Sequence, residues 1–421
     1  MRAPGAKTVE KASASARIAG VSALTWILCG FFLAYLLFFV RPIFGGEVMK
    51  FPTYIRARDP IGWDLSQMLS YSASWLSGET PYIGENLYPP LATVLFSPLT
   101  FVDFRTVYRG LLVVTILAYA GLVLLLPRLF RPDKRLSGLV ILFLATGLTS
   151  YGLQFELERG QFGVVAAAFL FLSLYLFHRR PGLRLLSYAL FTLSVQLKVY
   201  PLIFLPLFVD DWAAWRSSVA RLVALLGLNV ACLFVLGTDV FADFITAIQR
   251  QAIDPYIWVG NHSALSFATK ASPGSATGLQ VSILILVGLV LATSLGRAIA
   301  RRRRGPDAFL LLACAVGAQV IPSVSHDYTL ALLAAPAVAF LTSHDGKARS
   351  GWGALVQAGW LVTFAFAYAA ILFSFINRAS FPFIGSAIPA FVTQNALVWI
   401  LLMLLSGTGL AFSGGRNQNA P

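Results

Sequence analysis

Apolar stretches recur along the whole chain, many of them near the ~20 residues that cross ~30 Å of hydrocarbon as a helix. They fall at residues 21–40, 107–127, 136–153, 163–178, 185–197, 201–209, 219–237, 279–296, 308–322, 327–342, 353–376 and 391–412. Lipid offers no partner to an open backbone amide or carbonyl, so each stretch is predicted to be helical. The pattern predicts an all-α polytopic membrane protein, one integral membrane domain over 1–421, with about twelve transmembrane helices.

The interval 185–209 is the ambiguous one, because Lys198-Val199-Tyr200-Pro201 interrupts it. Read as a single crossing, it would place the basic run Arg301–Arg304 outside. Read as two short helices meeting near the outer surface at Lys198, it keeps every basic cluster inside. The second reading is preferred, with both ends of the chain cytoplasmic.

Two polar intervals separate these helices, at 41–106 and 238–278. Long loops in a compact domain are usually functional. Within the first, Leu65, Met68, Leu69, Trp75 and Leu76 fall at helical spacing with serines between them. Asp64 stands where an N-cap belongs and Gly78 where a helix ends. That pattern predicts an amphipathic helix along the membrane surface.

Composition agrees: 57% of residues are hydrophobic and 12% charged, with mean hydropathy +0.75. The net charge of +14 does not point to nucleic acid. Lys and Arg cluster at 2–17, 128–135, 179–184, 297–304 and 347–349, all on the side assigned to the cytoplasm, and the opposite face is close to neutral. The arginine run is an anchor beside anionic headgroups. Cys29, Cys232 and Cys314 lie singly in apolar stretches and suggest neither a disulfide framework nor a metal site. The first apolar run lacks a small-residue cleavage motif and reads as an uncleaved helix.

Asp64, then Gly78-Glu79-Thr80-Pro81-Tyr82 and Tyr88-Pro89-Pro90-Leu91, resemble the first external loop of polyprenol-phosphate-dependent mannosyltransferases. Further matching segments are Arg159-Gly160-Gln161, Leu197-Lys198-Val199-Tyr200-Pro201 and Ser325-His326-Asp327-Tyr328. Together, in this order, they resemble glycosyltransferase family 87 of the GT-C fold. The resemblance implies a GT-C-like bundle and metal-independent, inverting transfer from a polyprenyl-phosphate sugar, mannose being the family's usual cargo. It maps the family's catalytic aspartate onto Asp64.

The chemistry of such a donor fits these residues. Its phosphate leaving group is already activated, so the reaction needs a base for the acceptor hydroxyl and cations for the departing phosphate. Asp64 is the candidate base, and Lys198, His326 and Arg159 are the candidate phosphate ligands, each at the outer end of a predicted helix. Tyr82, Tyr88, Gln161, Tyr200, Asp327 and His262 lie in or beside these segments and are expected to line the substrate site. The blander alternatives are an N-cap for Asp64, an interfacial lysine at 198, a cap pair at His326-Asp327, and neutralisation of Arg159 by Glu156 and Glu158. Asp210-Asp211, flanked by Trp212, Trp215 and Arg216, reads as an interfacial anchor, not a metal site.

No cofactor or metal is expected. The expected partners are the lipid-linked donor, a glycolipid or glycan acceptor and membrane lipids. The expected location is a bacterial inner membrane, with the site on the periplasmic face. The rival reading is a transporter or flippase of lipid-linked sugars, although no internal repeat supports it. A ligase or polymerase acting on diphosphate-linked glycans is a third.

Overall fold

The computed structural model describes residues 61–344 apart from 85, 131–146, 149–150, 255, 258–260 and 303, with 17–18, 21–22 and single positions between 397 and 408. The expected crossing at 353–376 lies outside the described residues, as do most of those at 21–40, 136–153 and 391–412. At the start of the first of these, Val21–Ser22 pairs antiparallel with Arg17–Ile18 instead of opening a helix.

The described residues are 81% helical. Its helices are α1 (Trp63–Leu76), α2 (Pro90–Phe96), α3 (Phe104–Phe130), α4 (Tyr151–Arg159), α5 (Gly163–Arg179), α6 (Arg184–Leu197), α7 (Trp215–Cys232), α8 (Thr238–Ile253), α9 (Ala264–Ala271), α10 (Ala276–Ala300), α11 (Ala308–Val320) and α12 (Ala334–His344). Among the described residues, α3 and the segment Pro273–Ala300 are long and apolar enough to cross a membrane. The chain is a membrane protein. The bent pair Gly152–Arg159 and Gly163–Arg179 passes the same test only as a unit, with a 115° angle between its arms. Among the described residues, two segments, or three if the bent pair is one span, pass this test by length and composition.

Three differences from the expected elements have physical causes. Helix α4 runs to Arg159, beyond the expected end at 153, because it buries polar side chains that a hydropathy reading excludes: Gln154, Glu156 and Glu158 are all fully buried. The interval 238–278 is not a plain loop. It contains α8 and α9, and α9 is capped by the Ser263 hydroxyl accepting from Ser266 N. The interval 185–209 does divide at Lys198. Beyond it, Tyr200–Phe208 winds as a 3-10 helix, with Pro201 and Pro206 removing two of the donors that an α-helix would need.

Helices α5 and α6 pack side by side and are joined through serines. Ser173 Oγ donates to Ser187 O (2.7 Å), Ser187 Oγ to Ser173 O (2.9 Å) and Ser194 Oγ to Ala166 O (2.6 Å). Small hydroxyl residues let two backbones approach closely and satisfy their own polar atoms where lipid cannot. Helix α3 packs on the other side of α5 and meets α12; α11 packs against α10, α12 and the 3-10 segment. The core, centred on Tyr108, Phe162, Phe177, Phe191, Phe208 and Phe309, is continuous through all of these.

The helices share two ends. At one, the Arg179 guanidinium donates to Leu129 O (Nε 3.1 Å) at the close of α3, and Arg184 Nη2 meets Asp210 Oδ2 at 2.5 Å. Arg221 Nη1 lies 3.6 Å from Asp210 Oδ1, Arg304 Nε lies 3.2 Å from Asp211 Oδ2, and Gly305 N donates to Asp210 O (2.9 Å). Asp210 and Asp211 are therefore held by arginines from three parts of the chain. The other end carries Gly62, Gly163, Lys198 and the turn before Asp327. The 14 residues of α6 separate the two ends by about 21 Å.

Candidate active site

The site is built on a break in the backbone. Gly160 adopts φ +64° between α4 and α5, in the left-handed region that favours glycine. Gly62, at φ +77°, is the N-cap of α1. The two approach so closely that a Cβ on Gly160 would lie 3.3 Å from Gly62 Cα and 3.0 Å from Leu65 Cβ. Gly62 N donates to Glu158 O (2.8 Å), and Tyr108 OH donates to Leu157 O (2.9 Å). These contacts dock the first turn of α1 onto the α4–α5 break. They also correct the N-cap expectation: α1 begins at Trp63, so Asp64 lies within the first turn, and no side chain caps it. Gly78 follows the last turn at φ +85°, as its place in the sequence suggested.

From that docked turn Asp64 meets Gln161, whose side-chain Nε2 donates to Asp64 Oδ2 at 2.5 Å. The same amide's Oε1 accepts from Lys198 Nζ at 2.7 Å. Tyr88 OH accepts from Lys198 Nζ (3.2 Å) and from Gln161 Nε2 (3.3 Å). One buried amide thus joins a carboxylate to an ammonium, with its two ends oriented by the opposite charges. Lys198 Nζ also lies over the rings of Tyr88 (4.6 Å), Phe162 (5.0 Å) and Tyr328 (5.4 Å), whose faces attract a cation. Burial, partly offset by nearby carboxylates, pushes the Lys198 ammonium down to about 8. Burial first, then the charge of Asp64, holds the Tyr88 phenol well above its usual range.

The remaining candidates surround this centre. Arg159 Nε lies 3.1 Å from Glu158 Oε2, and its guanidinium sits 4.9 Å from the Phe155 ring centroid. Phe155 stacks on Tyr328 (6.0 Å), which meets the His326 ring edge-on (5.6 Å). Burial pushes the His326 imidazole down to about 4, against the pull of Asp327. His326 is therefore a neutral hydrogen-bonding group near pH 7, and Lys198 carries the fixed charge.

The other expected lining residues serve different contacts. His262 is buried and its Nε2 lies 2.5 Å from Asp327 Oδ1. Tyr82 donates its hydroxyl to Tyr88 O (2.8 Å) and packs on Phe244 of α8 (5.5 Å). Tyr200 OH donates to Gly163 O (2.9 Å) at the start of α5. The first two brace the loop carrying Tyr88 and the turn carrying His326. Tyr200 ties the Lys198 segment to α5.

Three further polar residues of this region were not among the expected site residues. Asn86 is fully buried, donates to Pro81 O (2.8 Å) and accepts from Tyr88 N (3.0 Å), shaping the turn behind Tyr88. Asn261 accepts from Ser325 N (3.0 Å) and Ser263 N (3.1 Å) and donates to Ser323 O (3.0 Å), clamping the His262 turn to the His326 turn. Glu156 is wholly buried and accepts from Val164 N at 2.7 Å. For Glu156 the signal was present: an ionisable residue inside an apolar domain points to function by default. Among the described residues no three His, Cys, Asp or Glu side chains converge to hold a metal ion.

No curated protein matches the chain. The profile of glycosyltransferase family 87 matches residues 86–325, a span that contains Tyr88, Gln161, Lys198 and the turn up to Ser325. That span is more than half of the 421 residues, and the chain belongs to glycosyltransferase family 87.

Proposed function

We propose that this glycosyltransferase moves a sugar, mannose by family precedent, from a polyprenyl phosphate to a glycolipid or glycan acceptor, with inversion and without a metal. The observation that carries the reading is the Asp64–Gln161–Lys198 bridge: an acid and a cation held apart by one amide at the end of the bundle opposite the arginine cluster. The acceptor hydroxyl oxygen attacks the anomeric carbon while its proton passes to the Asp64 carboxylate. The anomeric carbon–oxygen bond to phosphate breaks, and the polyprenyl phosphate leaves with its negative charge held by Lys198. One displacement with one base inverts the centre, whereas retention by double displacement uses a second carboxylate as nucleophile. His326 supplies a neutral hydrogen bond, and Arg159 a second positive charge, at the edge of the phosphate position.

Sidedness follows from charge. Arg179, Arg184, Arg221 and Arg304 share one end of the bundle. Basic residues favour the cytoplasmic side, which supports reading the Asp64 end as the extracytoplasmic face of a bacterial inner membrane. The isoprenoid tail then lies in lipid beside the helices and its phosphate at headgroup depth. Asp64→Asn tests the assignment: the folded variant is expected to lose transfer from a radiolabelled polyprenyl-phosphate sugar, and near-normal turnover refutes Asp64 as the base. In proteoliposomes the enzyme forms glycosidic product without net sugar flux; flux without product identifies a transporter.

A further inference from the structure

A fully buried carboxylate, Glu156, and a half-buried ammonium, Lys198, flank the start of α5, and neither has an ion-pair contact among the described residues. Glu156 is fully buried; its Oε1 accepts from Val164 N (2.7 Å), while its Oε2 has no hydrogen-bond partner among the described residues. Lys198 Nζ donates only to neutral acceptors, Gln161 Oε1 (2.7 Å) and Tyr88 OH (3.2 Å), and is otherwise surrounded by three aromatic faces. An isolated buried ion is costly, because the protein interior replaces little of the hydration it loses. The first two residues of α5 link the segments that carry the two charges. Val164 N holds the Glu156 carboxylate, and Gly163 O accepts from Tyr200 OH (2.9 Å), two residues beyond Lys198. Gly163 has no side chain to intervene: a Cβ there would sit 3.2 Å from both Glu156 carboxylate oxygens.

We propose that Glu156 is the counter-ion of Lys198, a positioning residue that keeps the lysine charged at the phosphate position without itself touching the reacting atoms. The pairing deepens the glycosyltransfer reading and rests on it only for its consequence in catalysis. Charge interaction across a poorly polarisable interior acts beyond contact distance, and the Val164 N–H at the positive N-terminal end of α5 favours the ionised carboxylate against the opposing effect of its burial. The other groups facing Lys198 are Asp64 from α1, Tyr88 from the loop before α2, and His326 and Tyr328 from the turn after α11. Of these, Asp64 is the only other source of negative charge at neutral pH, and Gln161 stands between it and the lysine.

Competitive trace acetylation of the purified, detergent-solubilised protein with acetic anhydride, read at the Lys198 peptide by mass spectrometry between pH 6 and 10, tests this without any transfer assay. The wild-type midpoint is expected at about 8. Glu156→Gln preserves the acceptor for Val164 N and removes the charge. Its midpoint is expected to fall by one unit or more, so that Lys198 labels about tenfold faster at pH 6–7. Glu156→Asp, which keeps the charge, is expected to stay nearer to wild type. If Glu156→Gln does not fold, Gly163→Ala, which displaces the carboxylate, is expected to shift labelling in the same direction by less. An unchanged Lys198 profile in the folded charge-removing variant, or in Gly163→Ala where that is the variant used, means the carboxyl is neutral or too distant, and overturns the proposal. A shifted profile in Glu156→Gln, with no transfer from a polyprenyl-phosphate sugar by the wild-type protein, leaves the pair intact and removes the polyprenyl-phosphate reading instead.

Discussion

Gln161→Glu is the most discriminating perturbation of the site, because it replaces the hydrogen-bond donor facing Asp64 with an acceptor that carries charge. The donor nitrogen lies 2.5 Å from Asp64 Oδ2. Two carboxylate oxygens at that separation repel by about 3–7 kcal/mol across an effective dielectric of about 40 to 20. Asp64 is half-buried, and Lys198 on the opposite amide oxygen at 2.7 Å offsets part of the repulsion, so the lower end applies. About 3 kcal/mol raises one carboxyl by roughly two pKa units, from about 4.3 to about 6. Above that pH the variant carries two like charges in contact; below it a shared proton restores the donated hydrogen bond. The ratio of variant to wild-type transfer rate is therefore expected to rise at least tenfold as pH falls from about 8 to about 5.5, the change that one lost proton in this range produces. Gln161→Leu removes both contacts without adding charge. It is expected to lose about 10²-fold in rate from misplacement of base and cation, with a ratio that is flat in pH. Rates measured with a radiolabelled polyprenyl-phosphate sugar across this range decide the matter. A flat ratio for Gln161→Glu refutes the contact between Gln161 and Asp64 on which the mechanism rests.

Other perturbations have separate readouts. Gly160→Ala forces a side chain into the left-handed region and against Leu65 Cβ at 3.0 Å. It is expected to cost roughly 2–4 kcal/mol, seen as a lowered apparent Tm in detergent; an unchanged Tm contradicts the close docking of α1. For His326, burial lowers the folded-state value to about 4, so protons bind the unfolded chain first. Stability is then expected to decline as pH falls from about 6.5 toward 4, and His326→Gln should flatten that decline in a thermal-unfolding series. EDTA is expected to leave transfer unchanged, and strong inhibition reversed by a divalent cation would favour a metal mechanism. Asp211→Ala, at the arginine-rich end, should leave transfer rates near wild type, since the carboxylate pairs with the exposed Arg304 about one helix length from Asp64.

Hydropathy and charge along the chain determined the class of molecule, the position of most of the described helices and the clustering of arginines at one end of them, because each follows from local periodicity and from the cost of moving charge through lipid. The division at Lys198 was legible for the same reason: Tyr200-Pro201 cannot continue an α-helix, and only one parity keeps the basic clusters together. The helix bearing Asp64 was legible from its apolar spacing, although its first residue was not, since Gly62 acquires its capping conformation from Tyr108 and Glu158, distant in sequence. Hydropathy also ended α4 too early, because a helix that buries Glu156 and Glu158 inside protein looks polar in a linear scan. Which charges meet was decided by the tertiary structure alone. Asp64, Gln161 and Lys198 converge because two glycines let α1 settle on the break before α5, and that close approach is a property of packed backbones that no linear pattern encodes.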